Sequence, residues 1–384
     1  MSMRQRRSTT IKTIETTSER NLPVDLLRGL IIVFMALDHA NHFVAHQHST
    51  GEYWGGPAPV FPSTLAFLTR LVTHYCAPGF FFLMGVGMAL FAGSRRSQGW
   101  SERKIIQHFM LRGSILILLQ LLLVNGIWGL GPFPFPPIYI GVLFALGGGM
   151  ILSSFLLRLK PPALLLIAFT FFIGTELLHP DPALWNLLEA DPFNLILLRS
   201  GGTGTFWSNY PILPWLELIL LGMVFGQWMR SNQAQAYRRT AIMGLTFLAV
   251  FMALRLLDGF GNIRPRPGDS WMDFLNLVKY PPSMTFTLFT MGGNLLLLWA
   301  FARLSKRVLR FLGALAVFGR VPLFVYILHL PLYLLLGRLL TPGGSPLGIM
   351  YLIWLFGLAC LYPLALWYGH FKQRQVPDSL LRFL

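Results

Sequence analysis

Long apolar runs alternate with short polar connections along the chain from residue 24 to residue 370. Most of these runs reach the length of about 20 residues that an α-helix needs to cross a bilayer core. The pattern therefore predicts an all-α polytopic membrane protein. We expect about ten transmembrane helices, at residues 24–46, 65–94, 104–125, 138–158, 161–178, 211–229, 239–258, 282–303, 308–336 and 347–370. The second and ninth runs are too long for one simple span, and we expect broken helices near Pro78 and Pro322.

Basic residues are concentrated in every second connection between the runs. They are Arg95, Arg96, Arg103, Lys104, Arg158, Lys160, Arg230, Arg238, Arg239, Arg303, Lys306, Arg307, Arg310, Lys372 and Arg374. The other connections hold Glu52, Asp181 and Asp269 with many Pro, Gly and Trp residues. The positive-inside rule thus predicts a protein of the cell (inner or plasma) membrane with both termini in the cytoplasm. Residues 1–20 are expected to form a disordered basic tail, residues 21–372 the membrane domain, and residues 373–384 a short cytoplasmic tail.

Composition supports the membrane interpretation, because 54% of the residues are hydrophobic and only 12% are charged. A soluble domain carries about 25% charged residues. The formal charge of +16 lies in short clusters rather than in one patch, which indicates topology and not nucleic-acid binding. Cys76 and Cys360 both lie in apolar segments, and neither a disulfide framework nor a metal site is predicted.

Two ionisable residues, Arg28 and His39, lie within the first span, and Asp38 precedes the histidine. A spacing of eleven residues is close to three helical turns, so both side chains project from one face, roughly 16 Å apart along the axis. Charged groups inside a bilayer usually face a bundle interior or a water-filled cavity and act there. The alternative for Arg28 is that it reaches the headgroups and pairs with Asp25.

Basic residues of the third span form a second stripe, in which Lys104, His108 and Arg112 are spaced by four. Together with Arg28 they could line a cytoplasm-facing pocket for a multiply anionic ligand, because guanidinium groups bind phosphate oxygens bidentately. The alternative is headgroup anchoring, which suits Lys104 better than the deeper Arg112.

Other candidates are distributed over later segments. In the second span His74 lies near the expected depth of His39, although a histidine satisfied by a backbone carbonyl would fit equally well. Arg320 begins the broken ninth helix, and His329 lies on roughly the opposite face, so these two need not share a site. On the outer side, Glu217 could orient an acceptor or merely pair with a neighbour. Trp207 could stack on a sugar, or could be one of the tryptophans common at membrane interfaces.

The segment from Val24 to His39 resembles the first span of the transmembrane acyltransferase superfamily, in which an arginine, ten residues and a histidine form the signature. Further motifs resemble bacterial members of the heparan-alpha-glucosaminide N-acetyltransferase-like family over about residues 20–335. These motifs are Thr73-His74-Tyr75-Cys76-Ala77-Pro78-Gly79-Phe80, Tyr210-Pro211-Ile212-Leu213-Pro214-Trp215, Lys279-Tyr280-Pro281-Pro282-Ser283 and Phe318-Gly319-Arg320-Val321-Pro322 to His329.

The resemblance implies an acyltransferase domain that moves an acyl group, often acetyl, from cytoplasmic acyl-CoA to a glycan or similar acceptor outside. Acyl-CoA would then be a co-substrate and not a permanently bound cofactor. Arg28, His108 and Arg112 would hold the coenzyme A phosphates, His39 would be base or nucleophile, and His74 would orient His39 or the thioester carbonyl. Glu217 and Trp207 would lie on the acceptor side, with Asp38, Arg320 and His329 as further candidates.

Two alternatives stay open at this stage. The eukaryotic glucosaminide enzymes use a histidine in the loop beyond the first span, where this chain has His46 and His48. The rival function is a transporter or flippase of an anionic small molecule or lipid-linked substrate, in which the same charged face would bind the cargo. The missing inverted repeat and the motif match favour the enzyme. The bilayer is the expected surrounding, and a homo-oligomer is compatible with either function.

Overall fold

A computed structural model of the chain describes residues 21–47 and 51–375, in which sixteen α-helices are found. The helices are α1 (Leu22–Ala40), α2 (Thr64–Thr73), α3 (Cys76–Ser97), α4 (Glu102–Leu119), α5 (Asn125–Gly129), α6 (Val142–Ser154), α7 (Pro161–Leu177), α8 (Pro192–Leu197), α9 (Ile212–Ser231), α10 (Gln233–Leu257), α11 (Trp271–Phe274), α12 (Met284–Arg303), α13 (Lys306–Phe311), α14 (Gly313–Arg320), α15 (Pro322–Leu340) and α16 (Leu347–Arg374). A π-helical segment, Asn41–Ala45, continues α1, and a second one, Gln120–Val124, joins α4 to α5.

The all-α membrane fold is confirmed. Within the described residues, seven helical segments are long and apolar enough to cross a membrane. They are Thr64–Ser97, Glu102–Gly129, Ile212–Ser231, Gln233–Leu257, Met284–Arg303, Pro322–Leu340 and Leu347–Arg374. The shorter apolar helices α6 and α7 and the polar-faced α1 occupy three further predicted spans. Ten spans thus stay a prediction, since α6 and α7 are shorter and α1 carries the charged residues Asp25, Arg28 and Asp38. The predicted tails at residues 1–20 and 376–384 lie outside the described residues.

Both predicted helix breaks are present, and proline explains each one. Pro78 cannot donate to the carbonyl of the residue four positions earlier, which is His74, and the helix is interrupted at His74 and Tyr75. At Pro322 the chain leaves the helical region at Val321, between α14 and α15. Pro331 lies inside α15 without ending it.

Helix α1 is central, and glycine allows its backbone to approach α14 closely. A methyl group on Gly29 would overlap the carbonyl oxygen of Leu315, and one on Gly319 would overlap that of Asp25. Close approach at small residues is the usual means of helix association in membranes. These two glycines therefore hold α1 against α14 near the residues that precede Pro322.

The two ends of the bundle differ. At one end, called the basic end, Arg96, Arg158, Lys160 and Arg230 of three predicted basic connections line one shared cavity. At the other, called the loop end, long connections pack on each other. There β1 (Ile138–Ile140) pairs in parallel with β3 (Phe206–Ser208), which pairs antiparallel with β2 (Gly201–Gly202). Trp54 donates through its indole to the Ser200 carbonyl at 2.8 Å and through its backbone to Tyr280 at 3.1 Å, which joins three connections into one cover.

Candidate functional site

A cavity of about 330 Å³ lies between α1, α3, α4, α6 and α15, and basic side chains face it. Arg28, Arg112, Arg320 and Lys372 line it together with mainly apolar residues, and we call it the arginine cavity. No acidic residue is found among its described lining residues. Four cations over apolar walls suit a ligand with several negative charges and an apolar or neutral extension.

Local contacts fix the position of Arg28. Its Nη1 donates to Asp25 Oδ1 and to the Gly319 carbonyl, both at 3.1 Å. The same carboxylate lies 4.0 Å from Arg320 Nε. The Asp25 carboxylate thus interacts with both Arg28 and Arg320. The Gly319 carbonyl is within reach of Arg28 because α14 packs closely on α1. Arg28 therefore pairs with Asp25, as one interpretation of the sequence had it, and it also lines the cavity, as the other had it.

The three basic residues predicted as a stripe on the third span, Lys104, His108 and Arg112, lie in different surroundings in the structure. Arg112 is partly buried and lines the arginine cavity. His108 does not line the arginine cavity. Its ring stacks on that of Phe91, which does line the cavity, with centroids 4.4 Å apart. Lys104 lies over the Trp100 ring at 3.9 Å, an arrangement that fits anchoring at the interface.

His39 lies near the end of α1 against a second histidine, His329 of α15. The His39 Nδ1 and His329 Nε2 atoms are 2.5 Å apart, and the rings stack with centroids 4.8 Å apart and an interplanar angle of 20°. Their 290-residue separation in sequence is bridged because α15 packs on α1. His329 is fully buried, while His39 is 9% exposed.

The hydrogen bonds determine the tautomers of the neutral pair. A carbonyl oxygen only accepts, so His329 Nδ1, at 3.0 Å from the Val325 carbonyl, carries a proton and donates it. His329 Nε2 is then the acceptor, and His39 Nδ1 is the donor across the 2.5 Å contact. His39 Nε2 consequently carries the lone pair of its ring. This is the arrangement in which one histidine orients the other as a base.

A second, smaller cavity of about 50 Å³ is lined by His39 and by polar residues of the loop end, and we call it the histidine cavity. Its polar lining includes Asp38, Gln120, Tyr139 and Asn209. Asn209 is held on two sides, since its Oδ1 accepts from the Tyr53 hydroxyl at 2.8 Å and its Nδ2 donates to the Tyr139 hydroxyl at 3.0 Å. Such a polar pocket beside a histidine can position a hydroxyl or an amine.

One wall separates the two cavities. Val142 and Tyr326 line both of them. The Tyr326 ring lies edge-on to His39 and to His329, with centroid distances of 6.4 and 5.4 Å. The arginine cavity and the histidine cavity are thus adjacent, and His39 lies beside the partition.

A charged network fixes Asp38, the residue before His39. Arg70 Nη1 donates to Asp38 Oδ1 at 2.5 Å, and the other side of its guanidinium forms a bidentate pair with Glu52. Thr73 donates to the same Asp38 oxygen at 2.8 Å. Although burial by itself would raise the pKa of Glu52, Arg70 and His74 hold it well below its ordinary value. Glu52 therefore stays ionised beneath the loop cover.

His74 belongs to this network and not to the His39 pair. Its Nε2 lies 2.9 Å from Glu52 Oε1, so its partner is a loop carboxylate and neither a backbone carbonyl nor His39. The sequence indicates only that Glu52 is an acidic residue of a connection. The Glu52 carbonyl accepts from the backbone N–H groups of Lys279 and Tyr280 in the Lys-Tyr-Pro-Pro segment, a contact that no spacing along the chain indicates. For Lys372, which lines the arginine cavity, the sequence likewise indicates only a role in topology.

The remaining candidates lie elsewhere. Glu217 is buried in α9 beside Thr287 and is not among the residues that line either cavity. Trp207 supports the histidine cavity indirectly, since its indole donates to Asn209 Oδ1 at 2.7 Å. His46 caps the π-helical turn with a left-handed backbone (φ 56°) and is partly exposed, and His48 lies outside the described residues. Among the described residues, no group of three His, Cys, Asp or Glu could hold a metal ion.

A comparison with known protein families identifies a match. The family described as heparan-alpha-glucosaminide N-acetyltransferase, catalytic, matches residues 20–257, which is more than half of the chain. The matched part contains Arg28, His39, Glu52 and Arg112, whereas His329 lies beyond it. No curated protein matches the chain.

Proposed function

This chain belongs to the heparan-alpha-glucosaminide N-acetyltransferase family, and we propose that it transfers an acetyl group from acetyl-CoA to the amine or hydroxyl of an extracytoplasmic sugar. The family supports the reaction class. The donor, the acceptor and the roles of the residues are proposed from the two cavities described above.

The observation that carries the proposal is the adjacency of two chemically different cavities. The arginine cavity offers four cations to the phosphates of acyl-CoA, and its apolar walls suit the arm that bears the thioester. The histidine cavity offers small polar groups to an acceptor. With Tyr326 and Val142 common to both, a thioester carbonyl at this wall would lie beside His39.

In the proposed step, the acceptor O–H or N–H gives its proton to His39 Nε2 as its oxygen or nitrogen bonds to the thioester carbonyl carbon. The carbon–sulfur bond then breaks, and the departing thiolate of coenzyme A takes the proton from the imidazolium. His329 keeps the imidazole in the required tautomer through the 2.5 Å contact. His39 is the proposed catalytic residue and His329 the positioning residue. In the alternative route His39 would carry the acyl group itself.

The distribution of basic connections supports a cytoplasmic basic end and an outward loop end. On this proposal the donor reaches the arginine cavity from the cytoplasm, and the acceptor approaches under the loop cover. The acyl group alone would cross between the cavities. A carrier, by contrast, would have to move its whole cargo past Tyr326 and Val142.

Acetyl-CoA binding and acetyl transfer to glucosamine, measured on the purified full chain in detergent, test the proposal. Arg28→Ala and Arg112→Ala should each weaken acetyl-CoA binding by roughly 10- to 100-fold, since a hydrogen bond to a charged group contributes about 1.5–3 kcal/mol. Arg103→Ala, an exposed arginine at the same end that does not line the cavity, is the matched control. Unchanged binding in both cavity variants would exclude the arginine cavity as the donor site, and binding without any transfer to an acceptor would favour the carrier.

A further inference from the structure

A third cavity lies at the basic end, outside the two cavities of the proposed reaction. Its volume is about 360 Å³, and it lies between the end of α3, the connection from α6 to α7, and the end of α9. Four cationic side chains, Arg96, Arg158, Lys160 and Arg230, line it. We call it the Arg230 cavity.

Neutralisation of these cations within the protein is incomplete. Arg96 forms a bidentate pair with Glu102 at 2.6 and 2.9 Å, and this carboxylate also interacts with Arg158. No acidic residue is found among the described residues that line the cavity. Among the described residues, Glu102 is thus the carboxylate that interacts with cations of this cavity, namely Arg96 and Arg158.

Two backbone carbonyls of the cavity already accept hydrogen bonds. The Leu157 carbonyl accepts from Arg96 Nη2 at 3.1 Å, and the Leu159 carbonyl accepts from Gln227 Nε2 at 3.0 Å. These two bonds order the connection that carries Arg158 and Lys160. What the cavity offers to a ligand is therefore positive charge and N–H donors, which is the chemistry of a phosphate site.

Gly93 gives the cavity a specific shape. The Arg230 guanidinium lies directly against this buried glycine, at a position where any Cβ would overlap it. An arginine that only determines topology does not need such a packing contact, because the positive-inside effect depends on the number of charges and not on their geometry. The packing on Gly93 instead fixes the position of the Arg230 head in the cavity that Arg96 and Lys160 also line.

We infer that the Arg230 cavity binds a phosphate group, namely that of an anionic lipid whose headgroup lies at the basic end of the bundle. Basic pockets between transmembrane helices at the cytoplasmic side are the usual binding places of such headgroups. The cavity is bounded by the ends of membrane-spanning helices, where lipid phosphates lie. This inference is independent of the acyl-transfer proposal.

The test is retention of phosphatidylglycerol by the full chain, measured by native mass spectrometry after extraction from nanodiscs of phosphatidylcholine and phosphatidylglycerol. A parallel arm measures the shift in Tm on adding inorganic phosphate or phosphatidylglycerol to detergent-solubilised protein. Arg158→Gln with Arg230→Gln removes two cations of the cavity. The matched control, Arg103→Gln with Arg238→Gln, removes two exposed cations of the same end that do not line it.

The parent and the control should retain phosphatidylglycerol, and the cavity variant should lose about fivefold in affinity for each cation removed. Gly93→Ala should weaken retention without changing the net charge, because its methyl group displaces the Arg230 head. If inorganic phosphate stabilises the parent and the lipid does not, the cavity is still a phosphate site, but its ligand is a free phosphate compound and not a lipid. Equal binding by parent and cavity variant in both arms, or an equal loss in the control, would overturn the inference.

Discussion

Replacing His39 by glutamine should abolish acyl transfer while preserving the contact with His329. The glutamine amide can donate to His329 Nε2, as His39 Nδ1 now does over 2.5 Å. It offers no nitrogen lone pair that takes up a proton near neutral pH. The substitution therefore separates the proposed base from the hydrogen bond that holds it.

The expected magnitude follows from the two roles. A general base contributes about 10²–10⁴-fold, so the barrier should rise by about 3–5 kcal/mol in His39→Gln. His329→Ala should cost less. It leaves a buried Nδ1–H of His39 without its acceptor, which costs about 1–3 kcal/mol, or roughly 5- to 150-fold in rate.

The assay is transfer of radiolabelled acetyl from acetyl-CoA to glucosamine, with acetyl-CoA binding measured by calorimetry on the same samples. Both variants should bind acetyl-CoA as the parent does, since the arginine cavity is not lined by either histidine. His329→Gln should restore activity relative to His329→Ala, because the amide oxygen can accept from His39 Nδ1. If His329 had only a structural role, His329→Gln and His329→Ala proteins of equal Tm would have the same kcat.

Retention of more than a third of the parental rate in His39→Gln would refute the assignment of His39 as the base. His46→Ala provides the comparison, because it should be close to neutral. An active His39→Gln protein beside an inactive His46→Ala protein would move the chemistry to the loop after α1. Full activity in every variant would place the chemistry on residues other than these histidines, whereas acetyl-CoA binding without transfer in the parent would favour the carrier.

Three further predictions concern topology, the charged network and the wall. A cysteine at Ser270 should react with a membrane-impermeant reagent in intact cells, whereas one at Ser97 should not, and outside labelling at Ser97 would reverse the orientation. Glu52→Gln should lower Tm near pH 7, because Arg70 holds the pKa of Glu52 below its ordinary value of 4.5 despite burial, and the ion pairs are then present above that pH. The difference from the parent should shrink as the pH falls below 4.5, and a pH-independent difference would contradict this. Tyr326→Ala should increase hydrolysis of acetyl-CoA relative to transfer by admitting water at the wall, while Tyr326→Phe should behave as the parent, and an unchanged ratio in the alanine variant would argue against the wall.

The sequence predicted well whatever depends on spacing along one helix. The spacing of eleven from Arg28 to His39 predicted both on one helix, and the structure puts one beside the arginine cavity and the other beside the histidine cavity. Pro78 and Pro322 marked the breaks, since the loss of an N–H donor is a local effect. The same holds for Arg112, whose depth follows from its position in α4.

Contacts between distant segments were not predictable in this way. His329 meets His39 across 290 positions, and nothing in the period of α15 indicates which helix it faces. His74 was expected near His39 from depth alone, but its partner is Glu52 in a connection without periodicity. For Glu217, a position near the end of a span does not reveal whether the side chain faces a cavity or a neighbouring helix.

Helix α1 is a spacer of fixed length, because Arg28 and His39 both lie on it and helical rise sets their interval at roughly 16 Å. The close contacts at Gly29 and Gly319 hold this spacer in place against α14. In the proposed reaction this interval selects donors by reach. A thioester whose arm is shorter could hold its phosphates on Arg28 or present its carbonyl to His39, but not both at once. The length of a helix, and not the shape of a pocket, would then determine which acyl carriers this protein can use.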